Sequence, residues 1–359
     1  MRSTAVLAVA AVAWMAPSSA SSAVGDTPNS TIVSRIADER IGESSGLAYS
    51  VRHPGLVYTM NDSGNRPVVY AIQVSTGKVV GQTDLASLDL EDTESIAVDR
   101  QGRLWLGDLG DNDRDRDDVS IVSFEEPGPG NAAPRALQRY PVKYSTGPSN
   151  VEAMMIHPAS GQVFLVSKRN EDGGNPNLFA LPRALRPGQP NVATSLNRPM
   201  LAGISDAAFT PDGRYALMKT ASGIVAYDVK TWKPITSFQT PGLDKGESLT
   251  LEPGGRSVLM GSEGDESPIV RMTLPAALAP AATSSPPSTS GDSEPTALPP
   301  VGPAAPNVTP AEPANVTIPT LVTIAGLGVL VAAAVVVRAG RRRQRIAQRH
   351  RRMAEHGRS

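Results

Sequence analysis

The chain has 359 residues, 34 of them basic and 35 acidic, with 40% hydrophobic residues and no cysteine. The lack of thiols excludes disulfides, thiolate nucleophiles and cysteine-ligated metals, and four histidines argue against a histidine-rich metal centre. Nine basic residues and one acid follow residue 337 and Arg2 lies near the start, so the stretch between carries 24 basic against 34 acidic side chains, which argues against a nucleic-acid partner.

Residues 1–23 carry Arg2, an apolar run from Ala5 to Ala16 and small residues ending at Ala23, the layout of a secretory signal peptide. From 24 to 275 helical periodicity is scarce. Short runs rich in Val, Ile, Leu, Tyr and Phe are separated by Gly, Pro, Asp and Asn, which is strand-and-turn composition. The runs recur in one order: acid, short strand, glycine-containing turn, short strand. Glu43 opens the first copy and Gly55 marks its turn. Glu94 with Gly102, Glu152 with Gly161, Asp206 with Gly213, and Glu247 with Gly254 and Gly255 follow. A four-strand unit repeating every ~40–60 residues is the pattern of a β-propeller. The expectation is an all-β chain of five four-stranded blades. The last blade lacks an outer strand, and Thr31 to Ile36 is expected to supply it, closing the ring and protecting the sheet edges. Six blades stay open, because 84–93 and 184–200 are hard to place.

Residues 276–317 are dominated by Pro, Ala, Ser and Thr and read as an extended stalk. From Ile318 to Val337 twenty residues carry no charge, enough to cross ~30 Å of hydrocarbon as one helix. The arginine-dense 338–359 then fixes that end in the cytoplasm and can touch anionic lipid. The predicted arrangement is a single-pass protein of the cell membrane, its propeller extracellular and its tail cytoplasmic. The Arg, Ala, Val and Pro usage suggests a GC-rich bacterial source.

Gly42-Glu43-Ser44-Ser45-Gly46 fits G-x-S-x-G, but a nucleophile elbow needs a helix to follow. Here a strand follows, and the same place in later copies reads TESIA, VEAMM, SDAAF and GESLT. Glu43 therefore opens a blade. In a propeller the start of each first strand and the end of each second strand share one face beside the central channel. That pairs Glu43 with Asn61 and Asp62, Glu94 with Asp108, Glu152 with Lys168 and Arg169, Asp206 with Lys219, and Glu247 with Glu263. Carboxylates converging on a channel repel one another unless they share protons or hold a cation. An oxygen-only set favours Ca²⁺ or Mg²⁺ over zinc. The expected metal set is Glu43, Glu94, Glu152, Asp206, Glu247, Asp62 and Asp108, with Lys168, Arg169 and Lys219 as an anion-facing edge. The competing reading is that these acids cap strand ends by accepting amides of the neighbouring blade. The run from Asp111 to Asp117 departs from a calcium loop at Arg116 and Val122 and reads as an exposed charged loop.

The stretch from Glu43 to Gly64, and the stretch from Glu94 to Gly110 with its Leu-Gly-x-Leu-Gly, resemble the calcium-activated nucleotidases (apyrases). Weaker matches lie at Glu152 and at Gly246-Glu247. More loosely, Pro211-Asp212-Gly213-Arg214 resembles the WD40 and YVTN repeats of secreted bacterial propellers. The nucleotidase resemblance implies a five-bladed propeller with a central Ca²⁺ held by acids at the blade starts. Two functions fit: a membrane-anchored extracellular propeller binding an anionic small molecule or a cell-envelope protein at a Ca²⁺-bearing channel mouth, or a metal-dependent phosphohydrolase of nucleotidase or phosphoesterase type. A metal-free scaffold contacting envelope proteins is a third.

Overall fold

The computed structural model describes residues 29–280 except 63, 169–175, 199 and 244. The expected signal peptide, the stalk beyond residue 280, the apolar segment 318–337 and the basic tail lie outside the described residues. Among the described residues no helix is long and apolar enough to cross a membrane. Apart from a 3-10 turn at Ala86–Leu88, the regular structure of the described residues is all strand.

Strand β1 (Ser30–Ile36) precedes a meander of β2 (Ala48–Tyr49), β3 (Leu56–Met60), β4 (Val68–Gln73) and β5 (Lys78–Asp84). Next come β6 (Thr93–Val98), β7 (Arg103–Asp108) and β8 (Ser120–Glu125); β9 (Gly130–Ala132) leaves them to pair in parallel with β5, and β10 (Gln138–Tyr144) returns beside β8. The third meander is β11 (Val151–Ile156), β12 (Val163–Ser167), β13 (Leu178–Ala180) and β14 (Asn191–Ser195), and β14 pairs in parallel with β10 of the sheet before it. The fourth is β15 (Ile204–Phe209), β16 (Tyr215–Thr220), β17 (Gly223–Asp228) and β18 (Lys233–Gln239). The last, β19 (Ser248–Leu251), β20 (Ser257–Gly261) and β21 (Ser267–Thr273), is completed by β1, which runs antiparallel to β21. The first strands β2, β6, β11, β15 and β19 each lie against the next, and β19 lies against β2. The sheets therefore stand around a closed ring, and the chain is a β-propeller.

The reason lies in the side chains. Successive residues of a strand face opposite sides, and here both sides are covered. On β12, Val163 and Leu165 pack toward the preceding sheet while Phe164 and Val166 pack toward the following one. On β7, Trp105 divides from Leu104 and Leu106 in the same way, and on β20 Leu259 divides from Val258 and Met260. Five apolar clusters result, one in each gap between neighbouring sheets. One gap holds Phe164, Phe209 and Trp232 with ring centroids 5.4 to 6.2 Å apart. Burying a large apolar side chain contributes ~1.5–3 kcal/mol, so the gaps hold the ring without a disulfide.

The turn glycines Gly55, Gly102, Gly161 and Gly213 all take positive φ, which is why the recurring turns need glycine. Both ends of the described chain emerge on the turn side of the ring. Asn29 accepts the Thr273 amide at 3.0 Å, and Pro280 lies against Gly255 in the β19–β20 turn. Leu278, beyond the expected propeller edge at 275, is 1% exposed in the core. The face where the first strands begin is left clear of both ends.

Candidate functional site

Strand register decides which acids meet at that face. In β6 a one-residue shift falls between Thr93, opposite Asp108, and Ser95, opposite Gly107. Glu94 is the residue bulged out of the ladder. The same shift singles out Glu152 between Val151 and Ala153, and Ser205 between Ile204 and Asp206. Glu247 holds the equivalent place just before Ser248, which pairs with Gly261. In the first sheet Ser44 bridges Asn61 while Ala48 pairs with Tyr58. The carbonyl of Glu43 takes the Asp62 amide at 2.9 Å, just as the carbonyl of Asp92 takes the Leu109 amide at 3.1 Å. Glu43 is therefore the counterpart of Asp92, and Ser45 that of Glu94. The five acids expected at one slot occupy three different ones. Glu94, Glu152 and Glu247 share the bulge, Glu43 lies two residues before it, and Asp206 one after. A bulged residue is free of the ladder and is re-aimed by the local kink.

Around the bulges Asp62, Asp92 and Glu94 bring one carboxylate oxygen each to within 4.8 Å of one another. Two opposite oxygens on one Ca²⁺, at ~2.4 Å each, span about that distance. The three are 4%, 9% and 6% exposed. Asp92 Oδ1 is buried and finds no hydrogen-bond partner among the described residues. Ser45 Oγ reaches Glu94 Oε2 at 3.4 Å. Burial, then the charge of Asp62, pushes the Asp92 carboxyl up to about 7. Burial, with Glu152, Asp62 and Asp92 around it, pushes Glu94 well above the carboxylate range. Asp92 is the residue the repeat pattern missed. Its signal lay in the apolar residues: matching Leu47-Ala48 to Ile96-Ala97 aligns Glu43 with Asp92, whereas matching acid to acid aligns it with Glu94.

Glu152 sits beside this set. Its Oε1 accepts from Asn150 Nδ2 at 2.8 Å and its Oε2 lies 3.1 Å from Lys168 Nζ. Burial opposes the Lys168 charge, but Glu152, Glu94 and Glu247 outweigh it and raise its pKa, and half of the side chain stays in solvent. Burial and then Glu263 push the Glu247 carboxyl up to about 7. Glu263 is itself 3.4 Å from Lys245 Nζ. Glu43 is only half-buried and accepts from Asn65 Nδ2 at 2.6 Å.

Other expected site residues are engaged elsewhere. Asp206 accepts the Ala207 and Leu249 amides, both at 2.8 Å, and so caps the neighbouring first strand. Lys219 is 1% exposed and donates to the carbonyls of Thr220 and Gly246 at 2.5 and 3.0 Å, so it offers no face to an anion. Asp108 accepts the amides of Glu91 and Asp92 at 3.1 and 2.8 Å and pairs with Arg116 Nη2 at 3.0 Å. Arg169 lies outside the described residues. In the loop from Asp111 to Asp117, Asn112, Asp113, Asp115 and Asp117 are exposed as expected, while Asp111 is 3% exposed and the Arg116 side chain 6%. Ser44 and Ser45 are buried with no helix after them, and Ser44 Oγ bonds Thr59 Oγ1 at 2.7 Å.

No protein-family model matches the chain, and no curated protein sequence matches it. Among solved structures, the β-propeller domain of Cps50 (Swd1) from Myceliophteria thermophila is similar at 14% identity, covering 65% of this chain and 67% of that one with a TM-score of 0.36. A likeness at that level carries no argument, and the propeller rests on the strand order and the closed ring described above.

Proposed function

We propose that the chain is a five-bladed extracellular β-propeller, anchored by 318–337, that binds its ligand or partner at a Ca²⁺-bearing channel mouth. The observation that carries the cation is the meeting of Asp62, Asp92 and Glu94 with a buried, unpartnered Asp92 oxygen. Oxygen-only ligands suit Ca²⁺ before Mg²⁺, which demands stricter geometry and keeps more water. Five first strands in a ring and five apolar gaps support the blade count. The signal-like leader, the proline-rich stretch and the arginine-flanked apolar segment support the location. A bound Ca²⁺ supplies an exchangeable positive position for a carboxylate or phosphate. Lys168, held by Glu152, adds an ammonium beside it. An anionic small molecule or an acidic group of a cell-envelope protein matches that pair.

Of the cations expected for the phosphohydrolase alternative, Lys168 stands beside the acids, Lys219 is bound to backbone carbonyls, and Arg169 lies outside the described residues. Thermal unfolding of the full chain tests the main reading. At a hundred times its dissociation constant a ligand adds about 2.7 kcal/mol, which raises the midpoint of a domain this size by about 5–10 °C. Ca²⁺ against chelator is expected to give that rise, and Asp92→Asn to remove it. No phosphate release from nucleotides is expected in the same Ca²⁺ samples; release would favour the alternative. An unchanged wild-type midpoint at millimolar Ca²⁺ ends the cation reading.

A further inference from the structure

We infer that Asp108, Arg116 and Gly110 are positioning residues that hold the Asp92 carboxylate in place as a cation ligand. The inference rests on the cation site proposed above. Asp92 enters the site from the segment before β6, where no ladder fixes it, and its Oδ1 has no hydrogen-bond partner among the described residues. The chain from Asp108 to Arg116 fixes it instead. Asp108 Oδ1 accepts the Asp92 amide at 2.8 Å and the Glu91 amide at 3.1 Å. The Asp92 carbonyl accepts the amides of Leu109 and Gly110, each at 3.1 Å. Asp108 Oδ2 lies 3.0 Å from Arg116 Nη2, and Arg116 Nη1 donates to the Gly110 carbonyl at 2.7 Å. The Arg116 backbone is tied in turn, because Asp111 accepts the amides of Asp115 and Arg116 at 3.0 and 3.2 Å. These bonds close a circuit from Asp92 through Asp108, Arg116 and Gly110 back to Asp92.

Gly110 acts through space rather than through backbone freedom, since its φ is not positive. A Cβ built on it falls 2.4 Å from both Cγ and Oδ2 of Asp92. The carboxylate lies flat over the glycine, and any side chain there would displace it. A buried ion pair such as Asp108 with Arg116 adds little stability over an apolar pair of the same shape. Its visible effect is to hold the Asp108 carboxylate oriented toward Arg116 and the two amides and away from the cluster. The Leu-Gly-Asp-Leu-Gly-Asp run is thus the wall of the site and not its ligand set.

Ca²⁺ titration of the full chain, by calorimetry and by displacement of luminescent Tb³⁺, separates the alternatives. Loss of a partner that orients a ligand weakens metal binding by about tenfold or more. Gly110→Ala is expected to lose that much affinity while its unfolding midpoint in chelator moves by less than about 2 °C. The double variant Asp108→Ala with Arg116→Leu, which removes the amide acceptor without leaving a lone buried charge, is expected to lose about as much. Asp108→Asn with Arg116→Gln keeps an oxygen for the two amides and is expected to stay within about threefold of wild type. Wild-type affinity in Gly110→Ala, or in the Ala/Leu variant should Gly110→Ala not fold, overturns the inference. An Asn/Gln variant as weak as Ala/Leu overturns it too, by making Asp108 a ligand. A wild type that binds neither ion removes the cation site itself, a different result from binding that ignores the wall.

Discussion

A carboxylate buried in this ring either accepts backbone amides or faces other carboxylates, and the two situations respond oppositely to neutralisation. Asp206 is of the first kind. Removing it leaves the Leu249 amide without its acceptor and takes from the buried Lys219 the stronger of the two acids that support its charge, leaving only Glu247. Asp206→Ala is expected to cost ~3–5 kcal/mol in urea unfolding and to shift Ca²⁺ affinity by less than about twofold, as a distant site should. Asp92 is of the second kind. Asp92→Asn is expected to leave the chelator-treated protein as stable as wild type or more so, because it removes a repelled buried charge, while abolishing the Ca²⁺ response. If the two variants behave alike, the division fails. The sequence alone marked Asp62, Glu94 and Asp206 as equals, since an acid at a strand start has one letter whichever role it takes. Which of them finds an amide depends on a one-residue bulge, and bulges leave no trace in an acid-to-acid alignment.

Strands were the legible part of the chain because both faces of each sheet are buried, so most of them read as short apolar runs between glycine turns. Closure by β1 was legible for a related reason, as the last meander is one strand short and Thr31 to Ile36 has strand composition. The parallel pairings of β5 with β9 and β10 with β14 were not. They join short, mostly polar strands some fifty residues apart in sequence, such as Asn191–Ser195, with no apolar pattern to mark them. The closing strand is where element-level stability can be measured. Ile36 is 1% exposed in the gap between the last sheet and the first. Ile36→Ala is expected to cost ~2–5 kcal/mol. Frayed from β21, the edge carrying Val270 and Met272 is open to pairing with another copy. Urea unfolding should show the cost, and sedimentation near the midpoint should show association that wild type lacks. A variant that loses less than ~1 kcal/mol and stays monomeric would mean that β1 decorates the ring and does not close it.

Only the whole ring brings Glu152 and Glu247 together, from strands nearly a hundred residues apart, and the charge they share is a property of closure. Glu247 in the folded chain titrates at about 7, raised first by burial and then by Glu263, with Glu152 adding to both and Lys168 opposing. Unfolded, it titrates at the ordinary ~4.3. Between those values the native state keeps a proton that the unfolded chain releases. The stability this proton contributes is complete below the unfolded value and is lost as pH rises through about 7. In chelator, therefore, the unfolding free energy from urea titration is expected to fall from pH 5 to pH 7.5, by at most ~1.4 kcal/mol per pH unit for one proton, and the urea midpoint with it. That slope is opposite in sign to ordinary acid denaturation. Glu247→Gln should flatten it, because the amide keeps the neutral form at every pH. Excess Ca²⁺ should turn the curve upward instead, since a cation binds the deprotonated carboxylates and competes with protons for them. The Ile36→Ala ring, if loosened, should lose part of the chelator slope along with its stability, as the acids move apart into water. A chelator midpoint that rises through this range, in a protein that still unfolds in one step, would mean that the carboxylates at the mouth are solvated and independent, and that the ring does not press them together.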